Sequence, residues 1–191
     1  MRICVRYQDV KTIMPDRDVK TIRDLIYFQY AKIVGKSAFG PYAKKTSYGF
    51  IKTTFREFVR DEKKWSDILR EDKQLADAEK ACVYCGSMRD LQWEHIVPRT
   101  LAINDRCPMC DRIQGIHNQV WACALCNGAK GVKGLYHFLR DSHPEAKKFS
   151  DLAPMLAEKK YLKTIFYCHQ CKGTLDTKPE GHEITVMDLD L

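Results

Sequence analysis

The 191-residue chain lacks the marks of several large protein classes. No run approaches the roughly 18 apolar residues that a membrane-spanning helix needs, and the N-terminus lacks the apolar stretch of a secretory signal. The Gly-x-x-x-x-Gly-Lys-Ser/Thr, Gly-x-Gly-x-x-Gly and Gly-x-Ser-x-Gly patterns are also missing, which argues against a phosphate-loop motor, a dinucleotide enzyme and an α/β-hydrolase. We therefore expect a cytoplasmic protein with no membrane partner.

The nine cysteines follow a regular pattern. Eight of them form four Cys-x-x-Cys pairs, and Cys4 stands apart. In a reducing compartment such pairs favour metal over disulfides, because two pairs suit one tetrahedral zinc ion. The pairs occupy positions 82/85, 107/110, 123/126 and 168/171.

Residues 1–80 are expected to form a basic helical unit. They hold 18 basic and 12 acidic side chains, a balance that suits a nucleic-acid partner. A first helix is predicted from Asp18 to about Val34, with Gly35 ending it, and Ser47 is predicted to cap a second. The apolar face of the second helix comprises Ile51, Phe55, Phe58 and Val59, and Trp65, Ile68, Leu69 and Leu75 suggest a third.

Three basic residues lie four positions apart on the second predicted helix: Lys52, Arg56 and Arg60. This spacing places their side chains on one helix face. Such a face can follow a phosphate backbone. An ordinary solvated surface explains it equally well, and both interpretations stay open.

Four polar motifs follow one another in the central part of the chain. In order they are C-V-Y-C-G at 82–86, W-E-H-I-V-P-R at 93–99, H-N at 117–118 and C-A-L-C-N-G-A-K-G at 123–131. Together they resemble the HNH, or ββα-metal, nucleases, and in particular their four-cysteine branch. The resemblance covers residues 82–131 and leaves both flanks unassigned.

The resemblance implies an α+β fold with a nuclease core at residues 81–140, in which two strands and a helix surround the active site. A unit of this size buries too little apolar surface to fix its catalytic groups, so a structural zinc ion would supply folding free energy. By this likeness the zinc ligands are Cys82, Cys85, Cys123 and Cys126.

The resemblance also implies the catalytic roles. His95 would be the general base, since imidazole titrates near neutrality. Glu94 and Asn127 would hold a catalytic Mg²⁺ or Mn²⁺ ion, although Asp or His is commoner at the first position and His at the second. Asn118 would brace the loop and help to orient His95. Arg99 and Lys130 are candidate phosphate contacts, and surface ion pairing explains them equally well.

The remaining cysteines are expected to form a second zinc site that ties the C-terminal segment, residues 141–191, to the nuclease core. An alternative pairs 82/85 with 107/110 and 123/126 with 168/171. The segment is predicted to contain helical structure ending near Tyr167 and a closing strand over residues 183–191. The ligands of the second zinc would be Cys107, Cys110, Cys168 and Cys171.

The sequence thus favours a metal-dependent DNA endonuclease of restriction or phage type, acting by cutting or nicking double-stranded DNA. A nuclease of the same fold acting on branched DNA or RNA is a second hypothesis. A third is a noncatalytic zinc ribbon that binds nucleic acid or a protein. A palindromic cutter would need two active sites and hence a homodimer, whereas a nicking enzyme can act alone.

Overall fold

The computed structural model describes residues 17–40, 46–65, 79–101 and 108–191, with two isolated positions at 73 and 77. Within these ranges two antiparallel strands, β1 (Leu91–His95) and β2 (Gln119–Cys123), form a small sheet. This mixture of helices with a small sheet confirms the α+β class. The helices are α1 (Ile22–Phe39), α2 (Thr46–Val59), α3 (Pro108–Gln114), α4 (Ala124–Lys130), α5 (Leu135–Ser142) and α6 (Met155–Lys172).

Helix α1 begins and ends later than the sequence predicted. Its cap is Thr21 rather than Asp18, because Thr21 and Asp24 form a reciprocal capping box. Gly35 does not end the helix, which continues to Phe39. A glycine at this position lets α2 approach closely, since a Cβ atom on Gly35 would lie 2.9 Å from Cγ1 of Ile51.

Helix α2 packs its aromatic side chains against α1. Phe55 and Phe58 are buried as predicted, whereas Val59 is 49% exposed and does not belong to the core. Ser47 lies inside the helix rather than at its cap, since α2 already begins at Thr46. Of the predicted third helix, Trp65 is described and packs against aromatic rings, and Ile68, Leu69 and Leu75 lie outside the described residues.

The C-terminal region departs from its prediction at two points. Helix α6 passes Tyr167 and ends at Lys172, where Gly173 adopts the left-handed conformation that closes a helix. The predicted closing strand is wrong: a short 3₁₀ helix, Val186–Leu189, replaces it, with Thr185 and Asp188 forming its capping box. The apolar side chains of this segment enter the helical core instead of extending the sheet.

One cluster of buried apolar residues joins α1, α2, α5, α6 and the inner side of the sheet. The start of α1 also pairs with the C-terminal segment, since the Ile22 amide donates to the Thr177 carbonyl at 3.1 Å and the Arg23 amide to the Leu175 carbonyl at 2.8 Å. No described helix has the length and apolar character needed to span a membrane. The core therefore anchors the sheet and α4 on a helical base.

Candidate metal centre and catalytic residues

Four cysteines converge at one end of the small sheet. The sulfur atoms of Cys82, Cys85, Cys123 and Cys126 all lie within 4.8 Å of one another. A tetrahedral zinc ion with Zn–S bonds of about 2.3 Å places its sulfurs about 3.8 Å apart, and the Cys85 and Cys123 sulfurs are 3.7 Å apart. The donor set and its spacing fit one structural zinc ion, so this cluster can bind a metal as predicted.

Local backbone structure presents these thiols. In the first pair the chain turns back so that the Gly86 amide donates to the Cys82 carbonyl at 2.8 Å. Gly86 has a φ of 75°, which a residue with a side chain adopts at a cost. In the second pair Cys123 caps α4 and Cys126 lies in its first turn. The sheet and α4 therefore meet at the cluster.

The thiols influence one another's protonation. Burial raises the pKa of Cys82, but backbone hydrogen bonds, the largest from Cys123, lower it to about 7. Burial and the neighbouring Cys123 and Cys85 side chains raise the pKa of Cys126. Zinc binds thiolates, so zinc binding would release the remaining protons and compensate the charges that accumulate here.

The clustering of these four residues overturns the alternative pairing of 82/85 with 107/110. Of the second predicted set, Cys107 and the Cys110 side chain lie outside the described residues. Cys168 and Cys171 lie in the last turns of α6. Helix α3, which includes position 110, packs against α6. The second zinc site stays a prediction.

Glu94 lies in a buried ion pair. Its Oε1 atom is 2.6 Å from the Lys130 ammonium, and its Oε2 accepts a hydrogen bond from the Tyr84 hydroxyl at 2.9 Å. The Lys130 side chain is 0% exposed, and it also donates to the His95 carbonyl at 3.1 Å. Lys130 is therefore a buried link between α4 and β1, and this differs from the surface phosphate contact that the sequence suggested.

Asn127 faces the same strand one turn earlier on α4. Its amide nitrogen donates to Oε1 of Gln92 at 2.9 Å. Gln92 and Glu94 are two residues apart on β1 and so share a face. The structure therefore brings both expected metal ligands, Glu94 and Asn127, to the side of β1 that meets α4.

His95 ends β1 on the opposite face of the sheet. It pairs in register with Gln119 of β2, and the Gln119 amide nitrogen lies 2.9 Å from Nε2 of His95. An amide nitrogen there requires an unprotonated Nε2, so this geometry assigns the tautomer that carries its proton on Nδ1. Burial lowers the pKa of His95, and the positive charge of Arg99 acts in the same direction.

Asn118 is fully buried and holds the chain that follows His95. Its Oδ1 accepts from the Val97 amide at 2.8 Å, and its Nδ2 donates to the Val97 carbonyl at 2.7 Å and the Ile113 carbonyl at 2.9 Å. The Ile96 amide also donates to the Asn118 carbonyl at 2.9 Å. The side chain therefore joins the segments before β2 and after β1.

Three residues of this region were missed by the sequence analysis: Tyr84, Gln119 and Lys160. Lys160 comes from α6, and its ammonium donates to the carbonyls of Ile116 at 2.9 Å and Gln119 at 3.0 Å. It is only 2% exposed. A lysine within the apolar face of a helix was the available signal, because a buried ammonium needs such partners.

The predicted basic contacts lie in two places. Arg99 is exposed just beyond His95. On α2, Lys52 and Arg56 lie 3.7 Å and 3.3 Å from the Asp18 carboxylate. Arg60 was predicted on the same helix but follows its last residue, Val59, and lies 4.0 Å from Glu62. The α2 stripe is thus partly compensated by acidic neighbours. Lys52 also lines a cleft of about 910 Å³, together with Arg17, Lys20, Tyr48 and Lys178.

Comparison of the chain with protein-family models, curated proteins and solved structures found no match.

Proposed function

We propose that this protein is a metal-dependent endonuclease that hydrolyses phosphodiester bonds in DNA. The supporting observation is that one unit of two strands and a helix carries His95, Glu94, Asn118 and Asn127 together with a four-thiol cluster. Glu94 and Asn127 lie on the sheet face that meets α4, His95 ends β1 on the other face, and the thiols lie at the Cys123 end of β2. This composition and order agree with the resemblance to the HNH nucleases.

In the proposed reaction, His95 accepts a proton at Nε2 from a water molecule as the water oxygen attacks phosphorus. The bond from phosphorus to the 3′ oxygen breaks, and that oxygen takes a proton from solvent. The Gln119 amide nitrogen faces Nε2 at 2.9 Å, an arrangement in which Nε2 is the proton acceptor, and water would take the place of this amide in the reaction. By family likeness the products carry 5′-phosphate and 3′-hydroxyl ends.

Glu94 and Asn127 would hold the Mg²⁺ or Mn²⁺ ion, since a carboxylate and an amide oxygen are the ligand types that such ions prefer. When bound, the ion would stabilise the charge that develops on the phosphate and the leaving oxygen. Lys130 already compensates Glu94 in this structure. Binding of the ion to Glu94 therefore requires the Lys130 ammonium to move away from the Glu94 carboxylate.

Cleavage of supercoiled plasmid by the zinc-loaded protein, with Mg²⁺ or Mn²⁺ added, tests the proposal. His95→Ala should reduce the rate by at least roughly 100-fold, because general-base catalysis contributes that much. His143→Ala is the matched control, since His143 is a partly exposed histidine beyond α5. Equal cutting by His95→Ala and wild type, with zinc content unchanged, would contradict the role of His95.

The second candidate is a noncatalytic zinc-bearing module that binds nucleic acid. Two observations favour it: both Glu94 oxygens are engaged, by Lys130 and Tyr84, and His95 lies on the other face of the sheet. On this hypothesis the wild-type protein binds DNA but leaves it intact with either metal ion. The plasmid assay combined with a binding measurement separates the two candidates.

A further inference from the structure

Two tryptophans form a stacked pair on the small sheet. Trp93 of β1 and Trp121 of β2 are register partners, and their ring centroids are 3.9 Å apart with an interplanar angle of 24°. Trp93 is 43% exposed, although an indole is among the most apolar surfaces a protein can present to water. The pair is therefore an accessible aromatic surface on the small sheet.

This surface shares its sheet face with His95. Residues two apart on a strand point the same way, so Trp93 and His95 project together from β1, and their register partners Trp121 and Gln119 project with them from β2. Helix α4 packs on the other face, where Asn127 and Lys130 meet Gln92 and Glu94. A molecule bound on this face of the sheet would therefore contact both the aromatic pair and the proposed general base.

The two rings differ in what covers them. The Lys80 ammonium lies 5.3 Å from the centroid of Trp121. Because the Trp93 ring occupies one face of Trp121 at 3.9 Å, the ammonium lies over the other face. Among the residues that the structure describes, Trp121 is the ring that stacks on Trp93, and the 43% exposed surface of Trp93 is accessible to a further planar group.

Two positively charged side chains lie near this face. Lys80 and Arg99 are both exposed, and Arg99 lies close enough to His95 for its charge to affect that side chain. The Glu94 carboxylate is turned to the opposite face and compensated by Lys130. A planar, uncharged group linked to an anionic backbone is the complementary ligand, and an unpaired nucleotide has this chemistry.

We propose that the Trp93–Trp121 face binds an unpaired nucleotide of the substrate, with its base stacked on Trp93 and the adjacent backbone near Lys80 and Arg99. This proposal rests on the proposed nuclease function and refines its substrate class. Duplex bases are already stacked on one another and cannot offer a free face. Single-stranded, gapped or branched DNA should therefore bind more tightly than continuous duplex.

The test measures affinity by fluorescence anisotropy without divalent ions, using the zinc-loaded His95→Ala protein, so that cleavage does not intervene. The probes are a short oligothymidylate, the same strand with abasic sites, and a duplex of equal length. Trp93→Ala in this background should weaken oligothymidylate binding by about 5- to 150-fold, the value of one base–aromatic stack. Trp93→Phe should retain most of the affinity.

Leu125→Ala is the matched control, because Leu125 is 85% exposed on α4. Unchanged zinc content and melting temperature show that each variant is folded. Where Trp93→Ala is unfolded, the comparison of the normal with the abasic strand in the His95→Ala protein tests the stacking. Equal affinity for the abasic and normal strands, or wild-type affinity in Trp93→Ala, would overturn the proposal. Failure of wild-type protein to cut DNA, with stacking intact, would instead overturn the nuclease function alone.

Discussion

The helical body and the β1–β2–α4 unit are held together by different kinds of contact. The body buries a continuous cluster of aliphatic and aromatic side chains. The β1–β2–α4 unit has a separate small cluster, Cys82, Ala122 and Cys123, at one end of the sheet. It also holds the buried polar groups of Glu94 and Lys130, and Asn118 is buried where β2 begins. Apolar burial tolerates small shifts, whereas thiolate ligation and buried ion pairs need their partners. Substitutions in the two regions should therefore differ in how much they destabilise the protein.

The largest effect is expected from removal of a thiol. Cys126→Ser should lose one zinc ion per chain and unfold the β1–β2–α4 unit, because structural zinc contributes on the order of 10 kcal/mol to the folding of small domains. Metal analysis and thermal denaturation measure the two consequences. Cys4→Ser is the control, since Cys4 belongs to no Cys-x-x-Cys pair. Full zinc content in Cys126→Ser would show that this cluster does not hold the ion.

The next largest effect is expected from breaking the buried ion pair. Lys130→Met leaves the Glu94 carboxylate buried without its cation and should lower the free energy of unfolding by roughly 3–5 kcal/mol. The double variant Glu94→Gln with Lys130→Met should recover much of this loss, as chemical denaturation would measure.

The same variant sharpens the metal hypothesis. If Glu94 binds a divalent ion, Mn²⁺ should raise the melting temperature of Lys130→Met more than that of the wild type, because the competing ammonium is gone. The double variant lacks the carboxylate and should not respond. An equal response of all three proteins to Mn²⁺ would argue against Glu94 as a ligand.

A third, smaller effect belongs to the helical body. Burial raises the pKa of Glu158 from 4.5 to about 7, against the charges of Lys36 and Lys32, and its Oε1 accepts from the Tyr136 hydroxyl. The folded protein thus holds this proton more tightly than the unfolded chain. The contribution of Glu158 to the free energy of unfolding should fall by roughly 2–3 kcal/mol as the pH rises from 4.5 to about 7.

Glu158→Gln should remove this part of the pH dependence, which denaturation at several pH values would detect. Glu145→Gln is a matched control, because the Glu145 side chain is 76% exposed. An unchanged pH profile in Glu158→Gln would show that the carboxyl group does not gain a proton on folding.

The smallest effect is expected at the surface of α2. Asp18→Asn removes the partner of Lys52 and Arg56 and should change the free energy of unfolding by less than about 1 kcal/mol. If the stripe follows a phosphate backbone, affinity for duplex DNA should rise a few-fold at low salt. Anisotropy at two salt concentrations measures this, and unchanged affinity would favour the ordinary solvated surface.

The same contrast explains how far the sequence could predict the structure. Short-range patterns were sufficient for the Cys-x-x-Cys pairs, for the presence of α1 and for the buried Phe55 and Phe58 of α2. The grouping of Cys82 and Cys85 with Cys123 and Cys126 came from the resemblance to a family. Long-range contacts decided the rest: Gly35 stays helical because Ile51 packs on it, and the predicted closing strand enters the core as a 3₁₀ helix. Lys130 is buried by its partner Glu94 on β1, which no local pattern reveals, whereas the helical pattern around Lys160 could indicate its burial but not its partners.

Hydrogen exchange before and after removal of zinc by a chelator tests most directly whether a cation organises the β1–β2–α4 unit. We predict that the Val83 and Ala124 amides, which donate to Trp121 and Asp90, lose their protection. The buried amides of α1 and α6 should keep theirs. Loss of protection throughout the chain, or unchanged protection at Val83 and Ala124, would contradict the account.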